Sequence, residues 1–138
     1  MTPRILIVDD HPDILRLLIC ILQTAGYTTI TAMRGDDALE QWHAHHPDLV
    51  LLDVNLPGIA GDEVCHQIKA SSDTPVIMMT GNAVSDIQLS QRVPDADGYL
   101  MKPFDLIELL DQISALLSGA RAEPPLYAMA LGGTITQV

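Results

Sequence analysis

The chain has 138 residues, enough for one domain with a proper core, and 48% of them are hydrophobic, which excludes a disordered acidic tail. Lys plus Arg total 7 against 18 Asp plus Glu, a formal charge of −11, which argues against direct nucleic-acid binding because phosphate contacts need basic patches. No apolar run approaches the ~20 residues of a membrane helix, and Met1-Thr2-Pro3-Arg4 leads straight into a strand-like run with no signal peptide, so a cytoplasmic protein is expected.

Residues 4–8 read R-I-L-I-V, a short buried strand that ends in Asp9-Asp10. His11-Pro12-Asp13 opens a helix, since proline suits the first turn and an acidic residue suits its positive end. Ile14, Leu18, Ile21, Leu22 and Ala25 recur at helical spacing, and Gly26 stops the helix. Residues 27–32 (Y-T-T-I-T-A) are rich in β-branched side chains and read as a second strand. Gly35-Asp36-Asp37 starts a second helix, with Ala38, Leu39 and Trp42 inward, and Pro47 ends it near His46.

Residues 49–53 (L-V-L-L-D) form the expected central strand. Four apolar residues end abruptly at one carboxylate, Asp53, and Pro57-Gly58 mark the turn that follows. Such a run suits a strand buried on both faces of a parallel sheet. A third helix is expected around residues 61–70, with Val64, Cys65 and Ile68 apolar, then a turn over residues 71–75. Val76-Ile77-Met78-Met79 is a buried strand ending at Thr80. A fourth helix is expected over residues 84–92, broken by Pro94-Asp95-Ala96-Asp97-Gly98. Tyr99-Leu100-Met101 is a fifth strand ending at Lys102-Pro103-Phe104, and residues 106–117 are the last helix. Cys20 and Cys65 fall in the helical stretches and read as two buried free thiols rather than a disulfide.

Five strands alternating with five helices imply an α/β fold, a five-stranded parallel sheet doubly wound with helices on both faces. The pattern stops near Ser118. Residues 1–118 are therefore expected to form the domain. Residues 119–138 are a linker, an accessory packing segment or the start of a further domain.

In open α/β sheets ligands bind outside the carboxyl ends of the strands. Asp9 and Asp10, Asp53, Thr80 and Lys102 each close a predicted strand, so a parallel sheet brings them to one edge. Three carboxylates there repel one another, and a hard divalent cation such as Mg²⁺ is the natural neutraliser. Thr80 offers a hydroxyl and Lys102 a positive charge, which suit an anion held while a bond forms. An aspartate carboxylate can attack phosphorus to give an aspartyl-phosphate, a reaction catalysed mostly by positioning and charge stabilisation.

Ile7-Val8-Asp9-Asp10, Leu51-Leu52-Asp53-Val54-Asn55-Leu56-Pro57, Met79-Thr80-Gly81 and Tyr99-Leu100-Met101-Lys102-Pro103-Phe104 resemble the receiver domain of two-component response regulators. The resemblance covers about residues 4–117, four separated motifs in order, each at a strand end. It implies a flavodoxin-like (βα)5 fold. It implies that Asp53 is the phosphoacceptor for a histidine kinase or histidine phosphotransfer protein. Asp10 and Asp53 would then ligate Mg²⁺, with the Asn55 carbonyl as a third ligand and Asp9 acting through water. Thr80 would hydrogen-bond the phosphoryl group and Lys102 would pair with it. A cis Lys102-Pro103 peptide is implied, as is a switching role for Tyr99 coupled to Thr80. The output surface would be the fourth helix, fifth strand and fifth helix, which would also offer a homodimer face. A domain of this kind catalyses its own phosphotransfer and dephosphorylation and is not otherwise an enzyme.

The sequence departs from the family pattern in places. Ala60-Gly61 stands where Asp-Gly is frequent, Gly81 where a small alanine is usual, and Pro94-Asp95 in place of a Gly-containing turn. Asn55 and Asn82 flank the site where dephosphorylation is commonly tuned.

Each residue also has a plainer reading. Asp9-Asp10 could cap a helix, Thr80 could do the same, Lys102 could be a solvated charge, and Tyr99 a half-buried strand aromatic. His43, His45 and His46 suit a solvated helix end better than a metal cluster, and His11 a loop or capping position. An aspartate-nucleophile phosphohydrolase usually wants a second acid two residues on, where this chain has Asn55, and no cap domain fits the length. A flavin-binding module lacks its phosphate loop here, and Asp9-Asp10 would repel FMN phosphate. A receiver used only for docking would not need the Asp, Thr and Lys set.

Overall fold

A computed structural model describes residues 2–81, 91, 93 and 95–119. The elements follow in the order β1 (Arg4–Val8), α1 (Pro12–Thr24), β2 (Thr28–Ala32), α2 (Gly35–His45), β3 (Leu49–Asp53), α3 (Gly61–Ser71), β4 (Val76–Thr80), β5 (Gly98–Met101) and α4 (Leu106–Leu117). The helix expected over residues 84–92 and the tail from residue 120 onward lie outside the described residues. The strands form one sheet in the order β2-β1-β3-β4-β5, and every neighbouring pair is parallel.

Strand side chains alternate between the two sheet faces, and each face has its own core. Leu6, Val8, Val50, Leu52, Val76 and Met78 pack with Ala38 and Trp42 of α2 and with Val64, Cys65 and Ile68 of α3. Ile5, Ile7, Leu49, Leu51, Ile77, Met79 and Leu100 pack with Leu15, Leu18 and Leu22 of α1 and with Leu109 and Ile113 of α4. All of β3 and β4 is buried, as the unbroken apolar runs require. β2 is an edge strand, and its half-exposed T-T-I-T-A sequence suits that place.

Three expectations change in detail. Tyr27 precedes β2, because its N–H closes the end of α1 on the Leu22 carbonyl at 2.9 Å, with Gly26 at φ 97° making the turn. On α1 it is Leu15, Leu18 and Leu22 that are buried, while Ile14 and Ile21 are half-buried and Ala25 is exposed. Cys20 is exposed, not buried: it faces away from the α1 stripe that meets the sheet. Cys65 is buried as expected, and burial pushes its thiol up to about 12, which leaves it inert at neutral pH.

Candidate phosphoacceptor site

Register explains how distant residues meet. Val8 of β1 pairs with Leu52 of β3, so the next residues, Asp9 and Asp53, emerge side by side. Thr80 of β4 pairs with Met101 of β5, which places Lys102 just beyond the same edge. The Lys102 N–H donates to the Thr80 carbonyl at 2.7 Å, and the Lys102-Pro103 peptide is cis.

The Lys102 ammonium donates to Asp9 Oδ2 at 2.5 Å and to Asp53 Oδ2 at 2.9 Å. Its side chain is only 14% exposed. The carboxylates are deeper still, with Asp9 fully buried and Asp53 4% exposed. Each carboxylate's other oxygen is held by a main-chain N–H two residues on. His11 N–H donates to Asp9 Oδ1 at 2.9 Å, and Asn55 N–H donates to Asp53 Oδ1 at 3.1 Å. These local bonds point the second oxygens at Lys102.

One ammonium shared by two buried carboxylates is compensated twice over, whereas each carboxylate is compensated only in part. Burial raises the Asp53 carboxyl above its ordinary 3.8, and Asp9 adds to the rise, against the lowering pull of Lys102 and the Asn55 N–H. Burial draws the Lys102 ammonium down, but its bonds to Asp9 and Asp53 outweigh that and leave it above 10.5. Lys102 is therefore charged throughout the neutral range.

Asp10, exposed on the rim, completes an acidic cluster. One carboxylate oxygen from each of Asp9, Asp10 and Asp53 lies within 4.8 Å of the others. Three carboxylates against one ammonium leave a net negative pocket of hard oxygen donors. That donor set fits a small divalent cation such as Mg²⁺, which binds through few carboxylates and keeps waters for a phosphate to replace.

Two glycines shape the loop that follows Asp53. A Cβ on Gly61, the first residue of α3, would overlap the Asp53 carbonyl oxygen. A Cβ on Gly35, the first residue of α2, would overlap the Ile59 carbonyl, and the Gly35 N–H donates to the Pro57 carbonyl at 3.1 Å. In the sequence Gly35 reads as a helix start and Gly61 as a helix start within a family motif, and the close main-chain approach that each permits leaves no signal in composition.

The family model for the response regulator receiver domain matches residues 5–114. The chain belongs to the response regulator receiver domain family. Phosphorylation on aspartate is the general function of that family.

The receiver domain is 38% identical over 125 residues to the DNA-binding response regulator MtrA of Mycolicibacterium smegmatis, covering 90% of this chain and 54% of that protein. It is 37% identical over 114 residues to the response regulator ArlR of Staphylococcus aureus, covering 83% of this chain and 52% of that protein. The chain thus spans about half the length of these curated relatives. Among solved structures, the BeF3-activated N-terminal receiver domain of Klebsiella pneumoniae RstA superposes with a TM-score of 0.77 at 29% identity, covering 83% of this chain and 97% of that one. The chemotaxis response regulator CheY4 of Vibrio cholerae gives 0.75 at 29% identity, covering 84% and 99%.

Of the residues singled out in the sequence, Asp9, Asp10, Asp53 and Lys102 come together in the receiver domain as described. Thr80 is buried at the end of β4, next to Asp53 in the sheet order. Asn55 is exposed on the loop just outside. Tyr99 stands farther along β5, half-buried, with its hydroxyl donating to the Val93 carbonyl at 2.7 Å. His11 is the exposed N-cap of α1 and makes no side-chain cap bond, so its main-chain N–H is what serves the site. His46 closes α2 in the left-handed conformation at φ 46°, and no His cluster able to hold a metal occurs among the described residues.

Proposed function

We propose that Asp53 is the phosphoacceptor of this receiver domain and that the chain catalyses its own phosphotransfer and dephosphorylation. The observation that carries the reading is the Lys102 ammonium bonded to both Asp9 and Asp53 beside Asp10. The phosphodonor is a histidine kinase or a histidine phosphotransfer protein. An Asp53 oxygen attacks the phosphorus as the donor's nitrogen–phosphorus bond breaks, and the donor nitrogen keeps that electron pair.

Each residue has a task in this step. The Asn55 N–H holds Asp53 Oδ1, which leaves Oδ2 as the attacking atom. Lys102 follows the charge from Oδ2 onto the phosphoryl oxygens. The Thr80 hydroxyl donates to another of those oxygens. Asp9, Asp10, Asp53 and the Asn55 carbonyl are the group that would hold Mg²⁺, Asp9 through water, and the metal supplies neutralising charge between carboxylates and phosphate.

Movement of Thr80 toward the phosphoryl group would let Tyr99 change position and remodel the surface made by β5, α4 and the residues before β5. That surface exposes Met101, Leu106 and Ile107, the last at 72%, which supports its use in docking or in a homodimer. No helix among the described residues is long and apolar enough to cross a membrane. The charge of −11 supports a partner-binding role without direct nucleic-acid contact.

Beryllofluoride with Mg²⁺ tests the reading, because beryllofluoride on a carboxylate mimics the aspartyl-phosphate. Mg²⁺-dependent binding that disappears in Asp53→Asn is expected, and sedimentation of the complex reports whether the output is a dimer. Binding that persists in Asp53→Asn would move the phosphoacceptor elsewhere.

A further inference from the structure

Lys69 lies in the last turn of α3, and Asp97 is the residue just before β5. Their charged atoms meet at 2.9 Å, with side chains 18% and 31% exposed. The same Asp97 oxygen accepts the main-chain N–H of Val76, the first residue of β4, at 2.9 Å. The Asp97 N–H returns a bond to the Val76 carbonyl at 2.8 Å, and the Lys69 ammonium also donates to the Thr74 carbonyl at 3.2 Å. One ammonium and one carboxylate oxygen thus join α3, the turn before β4, β4 itself and the approach to β5. One turn earlier on α3, His66 Nδ1 lies 3.2 Å from Asp95, an exposed second tie to the same segment.

These ties fix the surroundings of the Val93 carbonyl. That carbonyl accepts the Ala96 N–H at 3.3 Å and the Tyr99 hydroxyl at 2.7 Å. The main chain of Tyr99 is held separately. Tyr99 pairs with Met78 of β4, and its carbonyl accepts from Gln112 Nε2 of α4 at 3.1 Å. Gln112 can lie that close because the preceding residue is Gly98, where a Cβ would overlap Gln112 Oε1. Movement of Tyr99 is therefore confined to its ring and is resisted at its hydroxyl.

The opposite end of α3 touches the phosphoacceptor strand. The Gly61 N–H donates to the Val54 carbonyl at 3.1 Å, and its Cα packs on the Asp53 carbonyl. α3 therefore has the main chain of Asp53 at one end and the clamp on residues 95–97 at the other.

We propose that Lys69 and Asp97 are positioning residues for Tyr99: by clamping residues 95–97 to α3 and β4 they hold the Val93 carbonyl at the Tyr99 hydroxyl and set how readily the ring leaves this position. The proposal rests on the switching role given to Tyr99 above and adds α3 as a second connection to the site beside Thr80. A ring released from its acceptor costs less to move, so a ligand that favours the moved position then binds more tightly.

The test uses the full chain with carbon-13 in the tyrosine rings, and the Tyr99 signal is assigned with Tyr99→Phe. Wild type, Lys69→Met, Lys69→Arg and Asp97→Asn are compared without ligand and titrated with beryllofluoride at saturating Mg²⁺. Without ligand, the Tyr99 signal of Lys69→Met and Asp97→Asn is expected to leave the wild-type position, and Lys69→Arg is expected to restore it. The beryllofluoride concentration for half-saturation is expected to fall several-fold in Lys69→Met. A ligand-free Tyr99 signal at the wild-type position in Lys69→Met, or an unchanged half-saturation, would overturn the proposal. If Asp97→Asn fails to fold, Lys69→Met decides alone, because it leaves the Val76–Asp97 bonds in place. Failure of the underlying reading looks different: wild type would bind beryllofluoride at Asp53 with no response at Tyr99, or would not bind it at all.

Discussion

Asp53→Asn is expected to make the protein more stable when divalent cations are absent. The carboxylate is 4% exposed and shares one ammonium with the fully buried Asp9, while Asp10 adds a third negative charge. The Asn55 N–H and Lys102 bond to different Asp53 oxygens, and an asparagine oxygen replaces only one of them, because its NH2 donates and cannot accept. The loss is one hydrogen bond to a charged group, about 1.5 to 3 kcal/mol. The gain is the relief of burying an ionised carboxylate, several kcal/mol per ion in real proteins, together with less repulsion from Asp9 and Asp10. The net expectation is about 1 to 3 kcal/mol in favour of the variant at neutral pH. Urea unfolding in the presence of a chelator measures it.

The sign of the pH dependence follows from the direction of the Asp53 shift. Its folded-state value is raised, so the stability it contributes is fully present below the ordinary 3.8 and is lost as pH rises through the folded value. The advantage of Asp53→Asn should therefore vanish in acid and be complete at neutral pH. Adding Mg²⁺ should shrink or reverse it, because a cation bound only by the folded state adds about 2.7 kcal/mol at a hundred times its Kd, and wild type holds one more ligand. A variant less stable than wild type in chelator at pH 7, or an advantage independent of pH, would refute the reasoning.

Lys102→Met removes the ammonium that Asp9 and Asp53 share and leaves two buried carboxylates uncompensated. A loss of about 3 to 5 kcal/mol in chelator is expected, partly recovered by Mg²⁺, and thermal melts with and without the metal check it. Gly35→Ala forces a Cβ into the Ile59 carbonyl, main chain against main chain, so about 1 to 3 kcal/mol should be lost. Amide NMR signals after Asp53 should shift in the same variant, and an unshifted loop would count against the packing argument. Asp105 caps α4 by accepting from the Ile107 and Glu108 N–H groups at 2.9 and 3.2 Å. Asp105→Ala should cost about 1 kcal/mol, read as a drop of about 4 °C in Tm, with beryllofluoride binding unchanged.

The sequence by itself determined the five strands, the four helices among the described residues and the chemistry of the strand ends. Unbroken apolar runs such as L-V-L-L and V-I-M-M are legible because a strand covered on both faces must be apolar at every position. Asp9, Asp53, Thr80 and Lys102 were legible because each sits where such a run stops, and a parallel sheet puts all those stops at one edge. Tertiary structure alone decided how their charges are shared. Register sets Asp9 beside Asp53, and the fold brings Lys102 within reach of both, over separations of 93 and 49 residues. Burial raises Asp53 against the pull of that shared ammonium, and the two carboxylates together raise Lys102, neither of which any local pattern reveals. The rotation of α1 about its own axis likewise placed Leu15 inward and Cys20 outward, where periodicity alone allowed a neighbouring stripe. The Lys69–Asp97 clamp was illegible for the same reason: two charges 28 residues apart acquire a common role only when α3 and the approach to β5 are packed together.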